Sequence, residues 1–412
     1  MFIADRSGGN RRPLFSDRPG RHCHHPIWSP DGRFVYFVRG DPGIHSTDIW
    51  RLPAGGGEPE RITRHGSRVG YPALIDRRTL LYSATAEDGS GAWLYAIDVE
   101  RRVPHRVSFG LEQYLSVSAS ADGRRLVAAV ANPIVNLWTV PVSDRTAEES
   151  SAARLSLPSV RALAPVYGPD FIAYLSSRGG EDGVWKFQDG VATELWKGSE
   201  GPVIAAPAVS PDGRQICFSV RKQNRIQLYA MTSEGTNLRA LAPLDVRGTA
   251  CWSPDGKWIA VAAEEGKGMH LFKVPVDGGP PVAMLEEPSS NPVWSRDGRL
   301  IAYSSVRIGG SALVKAVTVD GTPFPLPELR VLSSVGNVYR FTPDGKGLIV
   351  LIGGYRQQSF WLVDLATGGK RQLTDLRQSY SLRDFDISPD GRTILFDRLR
   401  ENSDIVLIDL KR

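Results

Sequence analysis

The chain has 412 residues, 41% of them hydrophobic and 23% charged, and 50 Lys and Arg against 45 Asp and Glu leave a net charge of +5. That composition supplies a core and excludes a disordered chain, and the scattered basic residues exclude a nucleic-acid footprint. No apolar run reaches the length of a membrane span, and the three cysteines (Cys23, Cys217, Cys251) lack the spacing of a disulfide framework or zinc module.

Taken in order, the chain repeats one phrase. It stands as Trp28-Ser29-Pro30-Asp31-Gly32, Val209-Ser210-Pro211-Asp212-Gly213, Trp252-Ser253-Pro254-Asp255-Gly256, Trp294-Ser295-Arg296-Asp297-Gly298, Phe341-Thr342-Pro343-Asp344-Gly345 and Ile387-Ser388-Pro389-Asp390-Gly391. Worn copies surround Asp76, Asp122 and Asp170, and the nine Asp positions are separated by 42 to 48 residues. Periods of this size mark a propeller, a solenoid or an array. Each period reads as short strands. The sixth shows Thr249 to Trp252, an Asp-Gly turn, Trp258 to Ala262, His270 to Val274, a Gly278-Gly279 turn, and Val282 to Leu285. Asp-Gly between apolar runs is a hairpin signal.

A large apolar residue recurs 15 to 19 positions after each Asp: Trp50, Trp93, Trp138, Trp185, Tyr229, Phe272, Leu313, Trp361 and Ile405. A third strand packed against a neighbouring sheet requires such a residue, so these are read as core. The nine turn aspartates resemble a calcium array only superficially. At a hairpin an Asp hydrogen-bonds the local backbone ahead of a Gly with positive φ.

The expected fold is an all-β, single-domain, closed β-propeller of four-stranded blades. Nine blades are counted, with eight as the alternative. Their bounds are roughly 19–66, 67–110, 111–157, 158–200, 201–244, 245–287, 288–330, 331–376, and 377–412 joined by 1–18. In this reading Asp404 to Leu410 is the third strand of the last blade, and Arg11-Arg12-Pro13-Leu14-Phe15 supplies its fourth. Such Velcro closure removes two sheet edges.

The repeated W-S-P-D-G-(K/R) phrase followed by an apolar strand resembles the WD40-like PD40 repeat of TolB-like bacterial propellers. Related repeats occur in prolyl-oligopeptidase-type peptidases and in sensor regions of bacterial regulators. The resemblance spans essentially the whole chain. It implies non-enzymatic binding of a protein or peptide at the mouth of a central channel, and it transfers no individual site residue, because the matched residues are structural.

Channel-facing positions fall four to nine residues before each Asp. They nominate His25, Tyr71, Tyr114, Arg161, Arg247, Asn291, Tyr339 and Arg383 as a mouth for a protein, peptide or anionic ligand. The plain alternative makes them solvated loop residues. His22-Cys23-His24-His25 is the one candidate metal cluster, with His22, His24 and His25 as ligands; no HExxH or paired-His spacing supports it. A metal-dependent lyase or hydrolase at the His24/His25 end is the competing function, and a propeller domain of a larger regulator or peptidase is the third. No G-x-S-x-G elbow is present. The expectation is a non-enzymatic, monomeric binding module with no cofactor, in the periplasm or the cytoplasm, since Met1 to Arg6 does not begin a signal peptide.

Overall fold

The computed structural model describes all residues except 19–20, 41–46, 86–91, 109–111, 132, 160, 177–181, 199–200, 223–224, 266–267, 309–310, 333–335, 355–356, 377–379, 401 and 411–412. Among the described residues there is no α-helix, only one 3-10 turn at Glu149–Ser151. The rest is strand and turn, and the chain groups into two compact units, Met1–Pro133 with Glu401–Arg412, and Ile134–Arg400.

Among the described residues the smaller unit holds three antiparallel sheets of three or four strands, besides the short pair Phe2–Ile3 and Arg12–Pro13. The first is His22–Trp28, Phe34–Gly40, Thr47–Pro53 and Glu60–Arg61, and the second is Val69–Leu74, Thr79–Ala84, Trp93–Asp98 and Pro104–Arg106. The third has three strands, Gln113–Ala119, Arg125–Ala131 and Ser403–Asp409. Tyr36, Val38, Ile49, Leu80, Tyr82 and Ile97 fill the space between the first two sheets. Leu81, Leu94, Val117 and Leu126 fill the space between the second and third. The alternation along each strand places these residues on the buried face.

Among the described residues the larger unit holds six sheets of four or more strands, besides the short parallel pair Ala147–Glu148 and Thr374–Asp375. The fourth to eighth follow the sequence periods and begin with the inner strands Leu163–Tyr167, Ala208–Val209, Val246–Trp252, Ser290–Trp294 and Tyr339–Phe341. The ninth runs Ser381–Ile387, Thr393–Arg400, Ile134–Pro141 and Ala153–Arg154. Its neighbours are the eighth sheet and, through Ser381–Ile387 and Thr393–Arg400 packing on Leu163–Tyr167, the fourth. Phe360, Phe385 and Phe396 interlock edge to face where the eighth and ninth meet.

The repeated phrase is a hydrogen-bonded device. In the sixth sheet Ser253 Oγ donates to Asp255 Oδ1 at 2.6 Å, and accepts from Trp258 N at 2.9 Å. Asp255 Oδ1 also accepts from Lys257 N, and Gly256 sits at φ 71°. The same set recurs around Asp31, Asp122, Asp212, Asp297, Asp344 and Asp390. The serine hydroxyl is the part that makes the turn specific, because it bridges the Asp to the first N–H of the next strand. In the worn second period, Asp76 takes over both roles by accepting from Arg78 N and Thr79 N.

Two expectations about the chain ends are corrected. Ser403–Asp409 was expected as the third strand of the ninth sheet but pairs with Arg125–Ala131 in the third, with Ile405 opposite Ala129. The ninth sheet takes Ile134–Pro141 instead, with Trp138 opposite Phe396, and buries Leu137 completely while Ile405 is 82% exposed. Burial favours this choice: Val135, Leu137 and Val140 lie in the core, whereas Ile405, Val406 and Leu407 remain exposed in the third sheet. The N-terminal strand does not complete the last sheet either. Arg12–Pro13 pairs with Phe2–Ile3, and Ala153–Arg154 is the outer strand of the ninth sheet. The N-terminal segment is held elsewhere, because Phe15 packs on Phe37 and beneath the Arg39 guanidinium.

Candidate functional site

The eight nominated residues divide between the two units. Most stand near the start of an inner strand, and that placement has a cause that the repeat does not reveal. In seven sheets the pairing of the inner strand with the next slips, at His24/Ile27, Gly70/Ala73, Tyr114/Ser116, Leu163/Val166, Arg247/Cys251, Ser290/Val293 and Leu382/Phe385. Five of these bulges carry a residue in the left-handed region: His25, Tyr71, Ala164 and Asn291 near φ 50°, and Gly248 at φ 74°. For the four that carry a Cβ this backbone is strained, by about 1–3 kcal/mol each. A bulge re-aims the side chain it carries, which is why such features gather beside sites.

In the smaller unit the bulges bring His25 and Tyr71 together, with ring centroids 4.1 Å apart. His24 Nδ1 and His25 Nδ1 lie 3.0 Å apart, and His22 stacks on His24 at 5.3 Å. Burial pushes the His24 and His25 imidazoles below their usual range, so the two rings share one hydrogen bond as neutral groups. Among the described residues no group of three or more His, Cys, Asp or Glu is placed to hold a metal ion. Tyr114 is not part of this cluster. Its ring packs against the core between the second and third sheets, and its carbonyl accepts from Ser83 Oγ.

In the larger unit, Arg161, Arg247, Asn291 and Arg383 stand at or just before the leading ends of the inner strands of the fourth, sixth, seventh and ninth sheets, and Tyr339 lies deeper. Tyr339 is fully buried and donates its hydroxyl proton to the Asn291 carbonyl at 2.6 Å, so it supports the site from below. Arg247 is held by Asp245 and, 3.0 Å away, by Glu264. Arg161 pairs with Asp182 at 2.9 Å. Among the described residues, Asp182 Oδ1 and Arg161 Nε are buried without a hydrogen-bond partner. Burial raises the Asp182 carboxyl against the pull of Arg161 and Arg383. The Arg383 side chain is exposed and has no hydrogen-bond or ion-pair partner among the described residues.

Beneath Arg383 lie two buried carboxyls, Asp384, which falls in the window before the Asp390 mark, and Asp397, which sequence reasoning missed. Asp397 Oδ1 accepts from Arg383 N and Asp384 N, and its Oδ2 accepts from Ala164 N, all at 3.0 Å. Asp384 Oδ1 accepts from Asn337 N at 2.8 Å. Asp386 extends the series, accepting from Tyr167 N and from Arg340 Nε. These carboxyls tie the ninth sheet to the fourth on one side and the eighth on the other. Burial, and then the Asp397 charge, push the Asp384 carboxyl up to about 7, and burial raises Asp397 as well. Two acids this close do not both ionise readily. The D-F-D run Asp384-Phe385-Asp386, unusual within an apolar strand, is a further signal for the first and last of these, and nothing local marks Asp397.

Arg221 is the other residue that the sequence reading passed over. It ends Gln215–Lys222 in the fifth sheet, on which the sixth sheet's inner strand, carrying Arg247, packs. It is half-buried, and its guanidinium has no acceptor among the described residues. Its backbone is fixed: Arg221 N donates to Pro202 O at 3.0 Å, and a Cβ on Gly201 would stand 2.1 Å from Arg221 O.

No family model matches the chain. Over 148 residues it is 28% identical to the uncharacterized peptidase YuxL of Bacillus subtilis (strain 168); the match covers 35% of this chain and spans only 20% of that protein. Among solved structures, it is similar to a candidate TolB of Agrobacterium tumefaciens, with 19% identity, a TM-score of 0.49, and coverage of 66% of this chain and 99% of the other. A puromycin hydrolase aligns at 18% identity and a TM-score of 0.40, covering 88% of this chain and 56% of that one. The TolB of Acinetobacter baumannii aligns at 14% identity and a TM-score of 0.32, over 78% of this chain and 66% of the other. The chain is thus similar to TolB-like propellers, as its repeat phrase indicated, and the likeness is one of fold.

Proposed function

We propose that the larger unit is a closed ring of six blades acting as a non-enzymatic binding module, with its mouth where the inner strands begin. The ring reading rests on the contacts of the inner strands, which run from the fourth sheet through the ninth and back to the fourth, and on the Asp384, Asp386 and Asp397 clasps at the join. Of the nine blades counted from the repeat, the first three then form a separate stack. The binding reading rests above all on one observation: four arginines, Arg161, Arg221, Arg247 and Arg383, stand at the same end of these sheets; among the described residues the Arg221 guanidinium has no acceptor, and Arg383 makes no hydrogen bond or ion pair while its charge acts on Asp182, Asp384 and Asp397. Converging cations over a wall of bulged strands suit an anionic stretch of a protein or peptide.

The test is selection of peptides from a displayed library on the full chain, followed by titration against Arg383→Gln and Arg247→Gln. Both variants are expected to fold and to weaken binding at least tenfold. Unchanged affinity in both, or no selectable peptide, overturns the reading. A second reading, a propeller that accompanies a peptidase domain, is favoured by the partial match to YuxL; it would be tested by whether the chain, added to such a domain in trans, alters its cleavage of long against short peptides.

A further inference from the structure

We infer that Arg221 is the seat for a single carboxylate of a bound acidic peptide, which docks in its guanidinium fork beside Arg247. The inference rests on the mouth proposed above and goes beyond it by naming the anchoring group and its chemistry.

The argument begins with what a half-buried arginine ordinarily requires. A guanidinium carries five N–H donors in one plane and is always charged, so removing it from water is costly unless an anion or carbonyls receive it. The fully buried Arg398 and the half-buried Arg340, Arg247 and Arg161 of the larger unit follow the rule. Arg398 is held by Glu149, Arg340 by Asp386, Arg247 by Asp245 and Glu264, and Arg161 by Asp182. Arg221 has no such partner among the described residues, although the packing of Gly201 and Pro202 fixes its backbone. Burial and then the charge of Arg247 both work against its protonated form. A group held at a standing cost is accounted for when a ligand supplies the missing counter-charge.

The surroundings also choose the anion. Arg247 has its own two carboxylates, so the local excess is one positive charge, that of Arg221. A planar monoanion matches a free fork with two parallel hydrogen bonds. A doubly charged phosphate would bring a second negative charge towards Asp245 and Glu264 with no cation left to meet it. A carboxylate is therefore favoured over phosphate. A peptide side chain or end is favoured as its carrier because the mouth continues along the bulged strands to Asn291 and Arg383.

The probe is the pentapeptide acetyl-Ala-Ala-Glu-Ala-Ala-amide, titrated into the full chain and followed through the arginine Nε–H signals, with the Gln analogue and inorganic phosphate compared at matched ionic strength. The Arg221 signal is expected to shift and saturate with the Glu peptide. Replacement of Glu by Gln, or Arg221→Met, is expected to weaken binding at least tenfold, and phosphate to compete less well than acetate. Arg221→Met is also expected to melt higher than wild type, since a repelled charge is removed, so loss of binding cannot be ascribed to loss of fold. Equal binding of the Gln peptide, stronger competition by phosphate, or a lower melting temperature for Arg221→Met overturns the assignment. If Arg383→Gln weakens the pentapeptide while Arg221→Met does not, the mouth stands and the Arg221 seat falls. If neither weakens it, both fall.

Discussion

Replacing Asp384 by Asn should free the larger unit from a pH dependence that its buried acid pair imposes. Asp384 is raised to about 7 by burial and by Asp397, whereas an unfolded Asp titrates near 3.9. Because the folded value is the higher one, the proton favours the fold. That stabilisation is fully present below the unfolded value and is lost as pH rises through the folded one. At about 1.4 kcal/mol per unit, roughly 2 kcal/mol is lost between pH 4 and 5.5 and a further 2 kcal/mol or so between pH 5.5 and 8.5. Asparagine keeps an oxygen for the N–H of Asn337 and cannot ionise. Asp384→Asn should therefore gain on wild type as pH rises. With about 2–4 °C per kcal/mol for a unit of this size, the difference in Tm should widen by about 4–8 °C from pH 5.5 to 8.5. The assay is a set of thermal melts of both proteins across that range at constant ionic strength. A Tm difference that stays flat with pH, or narrows, refutes the shared-proton account of the pair.

Among the described residues, Glu149 is the one carboxylate on the Arg398 guanidinium, which is 1% exposed and ringed by Trp138, Tyr380 and Phe396. Glu149→Ala strands that charge and should cost about 3 kcal/mol in urea unfolding; a loss under about 1 kcal/mol would show that water or the aromatic rings suffice. Ser253→Ala and Ser210→Ala remove the hydroxyl that bridges turn Asp to strand N–H, so each should cost about 1–2 kcal/mol, and a neutral result at either would break the claim that the phrase is one device. Burial raises the thiols of Cys23, Cys217 and Cys251, so in native protein all three should react with a disulfide reagent far more slowly than free cysteine at pH 8 and only after denaturant is added; fast native reaction would contradict their placement.

Much of the scaffold was legible because the fold repeats itself. Nine Asp marks correspond to nine sheets of three or more strands, and the Trp, Tyr and Phe positions predicted for third strands are mostly half-buried or buried, as for Trp185, Tyr229 and Phe272. What the repeat could not convey was which copies of a strand pair with which. Ile134–Pro141 and Ser403–Asp409 carry interchangeable alternating text, and the choice between them turns on long-range packing. The site was legible only as a ring of positions. Arg161, Arg247, Asn291 and Arg383 were found by offset from the Asp marks. The bulges that give His25, Tyr71 and Asn291 a left-handed backbone leave no local trace in residue type. Arg221 escaped because it ends a second strand, outside the window searched, and its meaning lies in a missing partner. Asp397 escaped because an aspartate inside an apolar strand reads as a surface residue until its burial is known, and Asp384 was found only as a position, without its burial.

Hydrogen–deuterium exchange of the full chain, with and without the selected peptides, bears most directly on the central claim. The account predicts protection of 161–165, 219–222, 246–250, 290–292 and 381–385, at the leading ends of the larger unit's inner strands and at Arg221. Protection confined to 22–28 and 69–74, or to the outer strands, would contradict it.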